Sequence, residues 1–116
     1  MKLYQYPKCS TCRKATKFLN ESDVEFVSID ITEQPPTVDE LNAMLSSYEG
    51  EIRKLFNTSG VQYRELNMKE KLPTMSADQA IELLSGNGKL IKRPFLLNEA
   101  GKGIVGFKEV DWNEFV

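Results

Sequence analysis

The feature that most constrains the fold of this chain is its single CxxC motif, formed by Cys9 and Cys12, the only two cysteines in the sequence. The motif follows an apolar-leaning run, Leu3–Tyr6, and precedes a helix-like run, Lys14–Asn20. A strand, a tight turn with two thiols and then a helix make a thiol reactive, because N–H groups at a helix N-terminus and nearby cations favour the thiolate. The motif therefore predicts thiol redox chemistry.

The length and composition indicate one ordinary globular domain. The 116 residues suffice for one core, and 41% hydrophobic with 28% charged residues is typical of a soluble protein. The net charge of −2 gives no bias toward nucleic acid or an anionic membrane, so neither is an expected partner. No apolar run approaches the roughly 20 residues that span a bilayer, and the N-terminus shows no signal-peptide segment. We therefore expect a cytosolic protein, in which a CxxC pair is usually catalytic, sensing or metal-binding.

The N-terminal part of the sequence predicts a β-α-β unit. A first strand is expected over Lys2–Tyr6 and a helix over Thr11–Glu21, with apolar residues at three- and four-residue spacing. Ser10 or Thr11 is expected to cap this helix, because either hydroxyl can accept from free first-turn N–H groups. The alternating segment Val24–Ile31 predicts a second strand, and its link through a helix predicts that the two strands are parallel.

A helical block is expected next, over residues 37–86. Thr37 and Glu40 form a capping-box pattern at the start of one helix, a short helix is predicted near Ile52–Phe56, and another over Ser76–Ser85 ends at glycines. The residues expected to face inward are Leu41, Met44, Leu45, Tyr48, Ala80, Ile81 and Leu84.

The C-terminal part predicts a hairpin and a closing helix. Strands are expected over Pro94–Asn98 and Gly103–Gly106, and the helix over Val110–Val116. The order β-α-β, helices, β-β-α, with a CxxC after the first strand and a proline at the third, predicts a thioredoxin-like α/β fold with a four-stranded mixed sheet in one domain, residues 1–116. This fold raises the expectation of a cis Arg93–Pro94 bond above the general frequency of about one X-Pro bond in twenty, but leaves the isomer open.

Cys9 is the predicted nucleophile and Cys12 the predicted resolving thiol. Cys9 precedes the helix, so its sulfur can face free N–H groups, whereas Cys12 lies in the first turn and is expected to be buried. Cys9 would attack an oxidised sulfur or another electrophile, and Cys12 would then close a disulfide. The chain has no histidine, so activation has to come from the helix terminus and from cations.

Three basic residues are candidate site residues. Arg93, beside Pro94, and Arg13, about one helical turn after Cys9, could converge on the thiols or bind an anion, and Lys8 could support the thiolate. For each, the alternative is a solvated surface charge.

Two other interpretations of the CxxC motif stay open. The cysteines could be a purely structural pair. A zinc site would need two further ligands, which a chain without other Cys or His supplies only if two chains share one metal. We predict no metal and no cofactor.

Four motifs follow one another through nearly the whole chain: Tyr4-x-Tyr6-Pro7-x-Cys9-x-x-Cys12-Arg13-Lys14, Pro35-Pro36-Thr37-x-x-Glu40-Leu41, Leu90-Ile91-Lys92-Arg93-Pro94 and Val105-Gly106-Phe107. Together they resemble the ArsC/Spx family of thioredoxin-like proteins. The resemblance implies a thioredoxin-like sheet with a helical insertion. It leaves the activity open, because the family contains glutaredoxin-coupled arsenate reductases, the RNA-polymerase-binding regulator Spx and members of unassigned role.

The resemblance to the arsenate reductases is incomplete at the anion site. Cys9 matches their nucleophile, Arg13 the basic residue after it, and Arg93 one anion-binding arginine. The positions that match two further anion-binding arginines carry Asn57 and Gly106. Because the loss of two bidentate guanidinium groups weakens oxyanion binding severely, we do not expect efficient arsenate reduction.

The two-cysteine pattern with Arg93 is more similar to Spx, whose CxxC is a redox switch and which contacts the C-terminal domain of the RNA polymerase α-subunit. Two functions follow. One is a thiol oxidoreductase that exchanges with glutaredoxin, thioredoxin or a low-molecular-weight thiol, and it needs an open groove beside Cys9 and Pro94. The other is a redox-sensing regulator that binds the polymerase α-subunit, and it needs a partner face near Gly50 and Arg93.

Overall fold

The computed structural model describes all 116 residues and contains one sheet of four strands in the order β2-β1-β3-β4. β1 and β2 are parallel, with Lys2 opposite Val27, whereas β3 is antiparallel to both β1 and β4. The predicted α/β class and four-stranded mixed sheet are confirmed. The strands are β1 (Lys2–Gln5), β2 (Val27–Asp30), β3 (Phe95–Leu97) and β4 (Gly103–Val105).

Six α-helices accompany the sheet, and the order β-α-β, helices, β-β-α matches the prediction. None of them is long and apolar enough to cross a membrane. Short 3₁₀ helices lie at Ile52–Leu55, Leu72–Thr74 and Gly88–Leu90. The α-helices are α1 (Ser10–Glu21), α2 (Val38–Ser47), α3 (Val61–Glu65), α4 (Met68–Lys71), α5 (Ala77–Ser85) and α6 (Glu109–Phe115).

The two faces of the sheet carry two separate hydrophobic clusters. On one face, five buried residues from β1, α1, β3 and α6 pack together. On the other face, sixteen buried residues join the sheet to the helical insertion. Neighbouring residues of a strand point to opposite faces of the sheet and so belong to different clusters. Leu3 and Leu96 belong to the smaller cluster, and Tyr4 and Phe95 belong to the larger one. The sheet thus supports α1 on one side and the insertion on the other.

Two local predictions in the β-α-β unit are wrong. The cap of α1 is Cys9 rather than Ser10 or Thr11, because the Cys9 sulfur accepts the hydrogen bond from the Cys12 N–H. The second strand covers only Val27–Asp30 rather than Val24–Ile31, since the four residues of β1 pair with these four alone.

The insertion contains the predicted helices and two more. The capping box between Thr37 and Glu40 is present, and α5 begins at a second capping box, between Ser76 and Gln79. The additional helices α3 and α4 have five and four residues and are separated by Asn67 in the left-handed conformation. Of the residues expected to face inward, Leu45 and Tyr48 are half-buried and the others are fully buried: Leu41, Met44, Ala80, Ile81 and Leu84.

Candidate redox site

The CxxC motif lies where β1 ends and α1 begins. Cys12, Ala15 and Leu19 form the buried stripe of α1, which holds this helix against the sheet. The turn that leads into the helix is closed by a hydrogen bond of 2.9 Å from the Cys9 N–H to the Tyr6 carbonyl oxygen. The first turn of the helix therefore presents its free N–H groups at a fixed place beside the thiols.

The Cys9 sulfur is part of the N-terminal cap of α1. It accepts a hydrogen bond of 3.4 Å from the Cys12 N–H. Partial burial raises the pKa of this thiol, but hydrogen bonds from the Cys12 N–H, the Cys12 thiol and the Thr11 N–H, together with the Arg93 charge, outweigh it and lower the pKa below its usual value. A lowered pKa makes more of the thiol a thiolate, which is the nucleophilic form.

Cys12 has the opposite environment. Its side chain is fully buried, and burial raises the pKa of its thiol to about 12, although the Tyr6 N–H donates to its sulfur at 3.5 Å. Both cysteines are free thiols. The two pKa values are shifted in opposite directions, which is the separation that a nucleophilic thiol and a protonated second thiol require.

Arg93 lies close enough to the two sulfurs for its charge to act on both, and Pro94 follows it in the chain. The Arg93–Pro94 peptide bond is cis, and the Pro94 carbonyl oxygen accepts from the Gly106 N–H at 2.9 Å. The charge of Arg93 favours the thiolate of both cysteines. Its Nη1 is buried and has no hydrogen-bond partner in the chain.

The other two predicted basic residues lie differently. Arg13 is exposed, and its Nη1 donates to the Pro7 carbonyl oxygen at 3.1 Å. Lys8 is exposed in the turn before Cys9. The structure thus brings Arg93 to the thiols and gives Arg13 a contact with the turn that carries them.

The two positions without the expected arginines have well-defined surroundings. The Asn57 N–H donates to the Leu90 carbonyl oxygen at 2.7 Å, and Gly106 has a φ of 70°. A Cβ on Gly106 would lie 3.3 Å from Lys92 Cε. An arginine at position 106 would therefore have a strained backbone and displace Lys92.

Tyr6 is the site residue that the sequence analysis missed. Its N–H bonds to the Cys12 sulfur, its carbonyl accepts from Cys9, and its ring centroid lies 5.0 Å from the Arg93 guanidinium carbon. The sequence feature that could have indicated this role is the position of Tyr6 immediately before Pro7 and the CxxC motif.

A large concavity is lined by neither of the two thiols. It has a volume of about 790 Å³ and is lined by Gly50 and by apolar residues that include Phe56 and Val105. Three cations line it as well, Arg53, Lys54 and Lys92, of which Lys54 is paired with Glu51 at 3.2 Å. No group of three or more His, Cys, Asp or Glu side chains is placed to hold a metal ion.

Comparison with known proteins gives one family and several relatives. The family model described as the ArsC family matches residues 4–115. The chain is 52% identical over 111 residues to the uncharacterised protein YusI of Bacillus subtilis, covering 96% of this chain and 93% of that protein. It is 31% identical to the global transcriptional regulator Spx of Enterococcus faecalis, covering 98% of this chain and 84% of Spx. A solved structure from Streptococcus mutans UA159, titled a possible arsenate reductase, has a TM-score of 0.87 and 41% identity, covering 97% of this chain and 96% of that one.

Proposed function

The chain belongs to the ArsC family, and on this premise we propose that it is a cytosolic thiol–disulfide redox protein in which Cys9 is the nucleophile and Cys12 the resolving thiol. The observation that carries the proposal is the placement of the two thiols within one helix turn, where the Cys9 sulfur caps α1 and accepts from the Cys12 N–H while Cys12 is buried. The opposite shifts of the two thiol pKa values agree with it. Its partners are other thiols: glutaredoxin, thioredoxin or a low-molecular-weight thiol.

The reaction is a two-step exchange with a disulfide substrate. The Cys9 thiolate attacks one sulfur of the substrate, so that a Cys9 mixed disulfide forms and the other substrate sulfur leaves as a thiolate. Cys12 then loses its proton and attacks the Cys9 sulfur, which forms the Cys9–Cys12 disulfide and releases the second substrate thiolate. The leaving thiolates take up the protons that the two cysteines lose, and two electrons pass to the substrate.

The direct test is the rate of Cys9 alkylation by iodoacetamide as a function of pH, followed by mass spectrometry on the reduced protein. We expect a midpoint below the roughly 8.5 of a free cysteine, because the thiolate is the reacting form. In glutathione buffers of stepped redox potential, we expect the Cys9–Cys12 disulfide to form.

Two serine variants serve as controls. Cys9→Ser should abolish alkylation at neutral pH, and Cys12→Ser should leave a mixed disulfide on Cys9 that no longer resolves. A Cys9 that alkylates only above pH 8, or that never bridges to Cys12, would sink the proposal.

A second candidate function is a redox-sensing regulator that binds the C-terminal domain of the RNA polymerase α-subunit. Two observations favour it: the 31% identity to the global transcriptional regulator Spx, and the basic concavity that Gly50, Arg53 and Lys92 line. A pull-down on that polymerase domain with oxidised and reduced protein tests it. Arg53→Glu is the variant, and Arg64→Glu, at an exposed position of α3, is the matched charge control. If the protein binds the polymerase domain in neither redox state, this candidate function is excluded.

A third candidate, glutaredoxin-coupled arsenate reduction, is favoured by the similarity to the Streptococcus mutans structure titled a possible arsenate reductase. We expect little turnover in a coupled assay with glutathione and glutaredoxin, because Asn57 and Gly106 supply no guanidinium groups for the oxyanion. Robust turnover would show that one arginine, Arg93, suffices for anion binding in this chain.

A further inference from the structure

Tyr6 contacts both cysteines and Arg93. Its carbonyl oxygen accepts from the Cys9 N–H at 2.9 Å, and its own N–H donates to the Cys12 sulfur at 3.5 Å. Its ring centroid lies 5.0 Å from the Arg93 guanidinium carbon, within the range of a cation–π contact. A single residue thus connects the Cys9 backbone and the Cys12 sulfur to the cation of Arg93.

Arg93 has few other groups to hold it in place. The ion pairs of the chain involve Lys2, Lys17 and Lys54 but not Arg93. Its Nη1 is buried without a hydrogen-bond partner, which is costly for a guanidinium group. The face of the Tyr6 ring is therefore the favourable contact that orients this cation toward the thiols.

We propose that Tyr6 is a positioning residue of the redox site, whose aromatic ring holds the Arg93 guanidinium beside the two sulfurs. This inference rests on the proposed thiol–disulfide function. In the exchange step the negative charge is shared by the attacking and the leaving sulfur, and a fixed cation at this place stabilises it.

Tyr6 could instead be only a packing residue, since it also packs against the larger hydrophobic cluster. The two roles predict different results for substitutions. Tyr6→Phe keeps both the ring and the packing. Tyr6→Leu keeps apolar packing but removes the ring face, so only a positioning role makes it change the chemistry of Cys9.

The experiment measures the pH midpoint of Cys9 alkylation by iodoacetamide in the reduced protein and four variants: Tyr6→Phe, Tyr6→Leu, Arg93→Gln and the double variant Tyr6→Leu/Arg93→Gln. Tyr6→Phe should match the wild type. Tyr6→Leu should raise the midpoint by about half a pH unit, part of the Arg93→Gln shift, because the guanidinium group stays in the chain but is no longer held beside the thiolate. Arg93→Gln should raise it at least as much, and the double variant should match Arg93→Gln.

Two results would overturn the inference. One is a Tyr6→Leu midpoint equal to that of the wild type. The other is an equal Tyr6→Leu shift in the presence and absence of Arg93, since Tyr6 would then act on the sulfurs directly. Thermal unfolding checks that each variant is folded, and Tyr6→Met replaces Tyr6→Leu if the latter is not. Failure of the proposed function itself is recognised separately, by a wild-type Cys9 that titrates like a free thiol.

Discussion

At the scale of single residues, Glu40 shows how one carboxylate fixes the start of the insertion to the sheet. Its Oε1 accepts from the Tyr4 hydroxyl at 2.6 Å and from the Thr37 N–H at 3.0 Å, and its Oε2 accepts from Lys2 Nζ at 3.1 Å. Burial raises the pKa of this carboxyl, but the hydrogen bonds from Thr37, Tyr4 and Lys2 outweigh it, so the pKa lies below its ordinary value. The carboxylate therefore joins β1 to the N-terminus of α2 as an anion.

Glu40→Gln should lower the free energy of unfolding at pH 7 by about 1–2 kcal/mol, because the charge-assisted bonds become neutral ones. Since the folded pKa is lowered, the contribution of Glu40 is complete above its ordinary value of 4.5 and is lost as the pH falls through the folded pKa. Urea unfolding at pH 7 and at steps below pH 5 should show the difference from wild type shrinking. The exposed Glu82→Gln on α5 is the control; a Glu40→Gln effect that persists unchanged below the folded pKa would contradict this origin.

Gly88 is required by a close approach of two backbone segments rather than by its dihedral angles. It is buried, and an added Cβ would overlap the Ile31 carbonyl oxygen and lie 2.7 Å from the Ile31 carbonyl carbon. Gly88→Ala should therefore destabilise the protein by about 3 kcal/mol or more, since neither backbone segment can move away cheaply. Gly86→Ala, whose Cβ would meet nothing nearer than 3.8 Å, should be close to neutral in the same urea titration. Equal stability of the two variants would show that the backbone at Ile31 moves away from the added Cβ at little cost.

At the scale of elements, the end of α2 covers one edge of the sheet. β4 is an edge strand, and its outward N–H groups would otherwise be unpaired. Ser47 Oγ accepts from the Gly103 N–H at 3.0 Å, and the Tyr48 hydroxyl accepts from the Val105 N–H at 2.9 Å. The insertion thereby satisfies backbone groups that the sheet cannot.

Tyr48→Phe should remove the partner of the Val105 N–H and cost about 1 kcal/mol of unfolding free energy. Native-state hydrogen exchange read by NMR should show a faster Val105 amide, while the amides of β1 change only with global stability. Tyr63→Phe deletes a hydroxyl that bonds to no group of the chain and is the matched control. An unchanged Val105 exchange rate would mean that another group, such as water, replaces the hydroxyl fully.

The elements also show which parts of the structure the sequence could predict. The capping box of Thr37 and Glu40 predicted the start of α2, because this sequence pattern is local and specific. α3 and α4 have five and four residues, too few for a repeating apolar pattern, so their formation depends on tertiary packing of Tyr63 and Met68. The cap of α1 was missed because a cysteine sulfur is not among the usual capping groups.

The sequence also predicted one part of the candidate site and not another. Cys9 and Cys12 follow from one motif of adjacent residues, so the sequence was enough to find them. The contact of Tyr6 with Arg93 joins residues 87 positions apart, whose meeting depends on the pairing of β1 with β3. Contacts of this kind follow from the sheet register and not from any local pattern.

At the scale of the whole molecule, the two hydrophobic clusters share the same strands. The smaller cluster contains Trp112, the only tryptophan, packed with Leu3 and Leu96, whose chain neighbours Tyr4 and Phe95 belong to the larger cluster. Loss of the smaller cluster would expose one full face of β1 and β3. A cluster of five residues is also too small a core to stay folded by itself if the rest of the sheet unfolds. The two clusters should therefore behave as one cooperative unit, as the prediction of a single domain requires.

In a urea titration of the reduced protein, Trp112 fluorescence and far-UV circular dichroism should give the same midpoint and slope. The first signal reports the smaller cluster, and the second reports mainly the helices of the insertion. Leu96→Val removes one buried methylene from the smaller cluster and should lower the unfolding free energy by about 1 kcal/mol. This variant should shift the fluorescence and dichroism midpoints by the same amount, because the same strands contribute residues to both clusters. Retention of the dichroism signal at a urea concentration where Trp112 is already exposed would contradict a single cooperative domain.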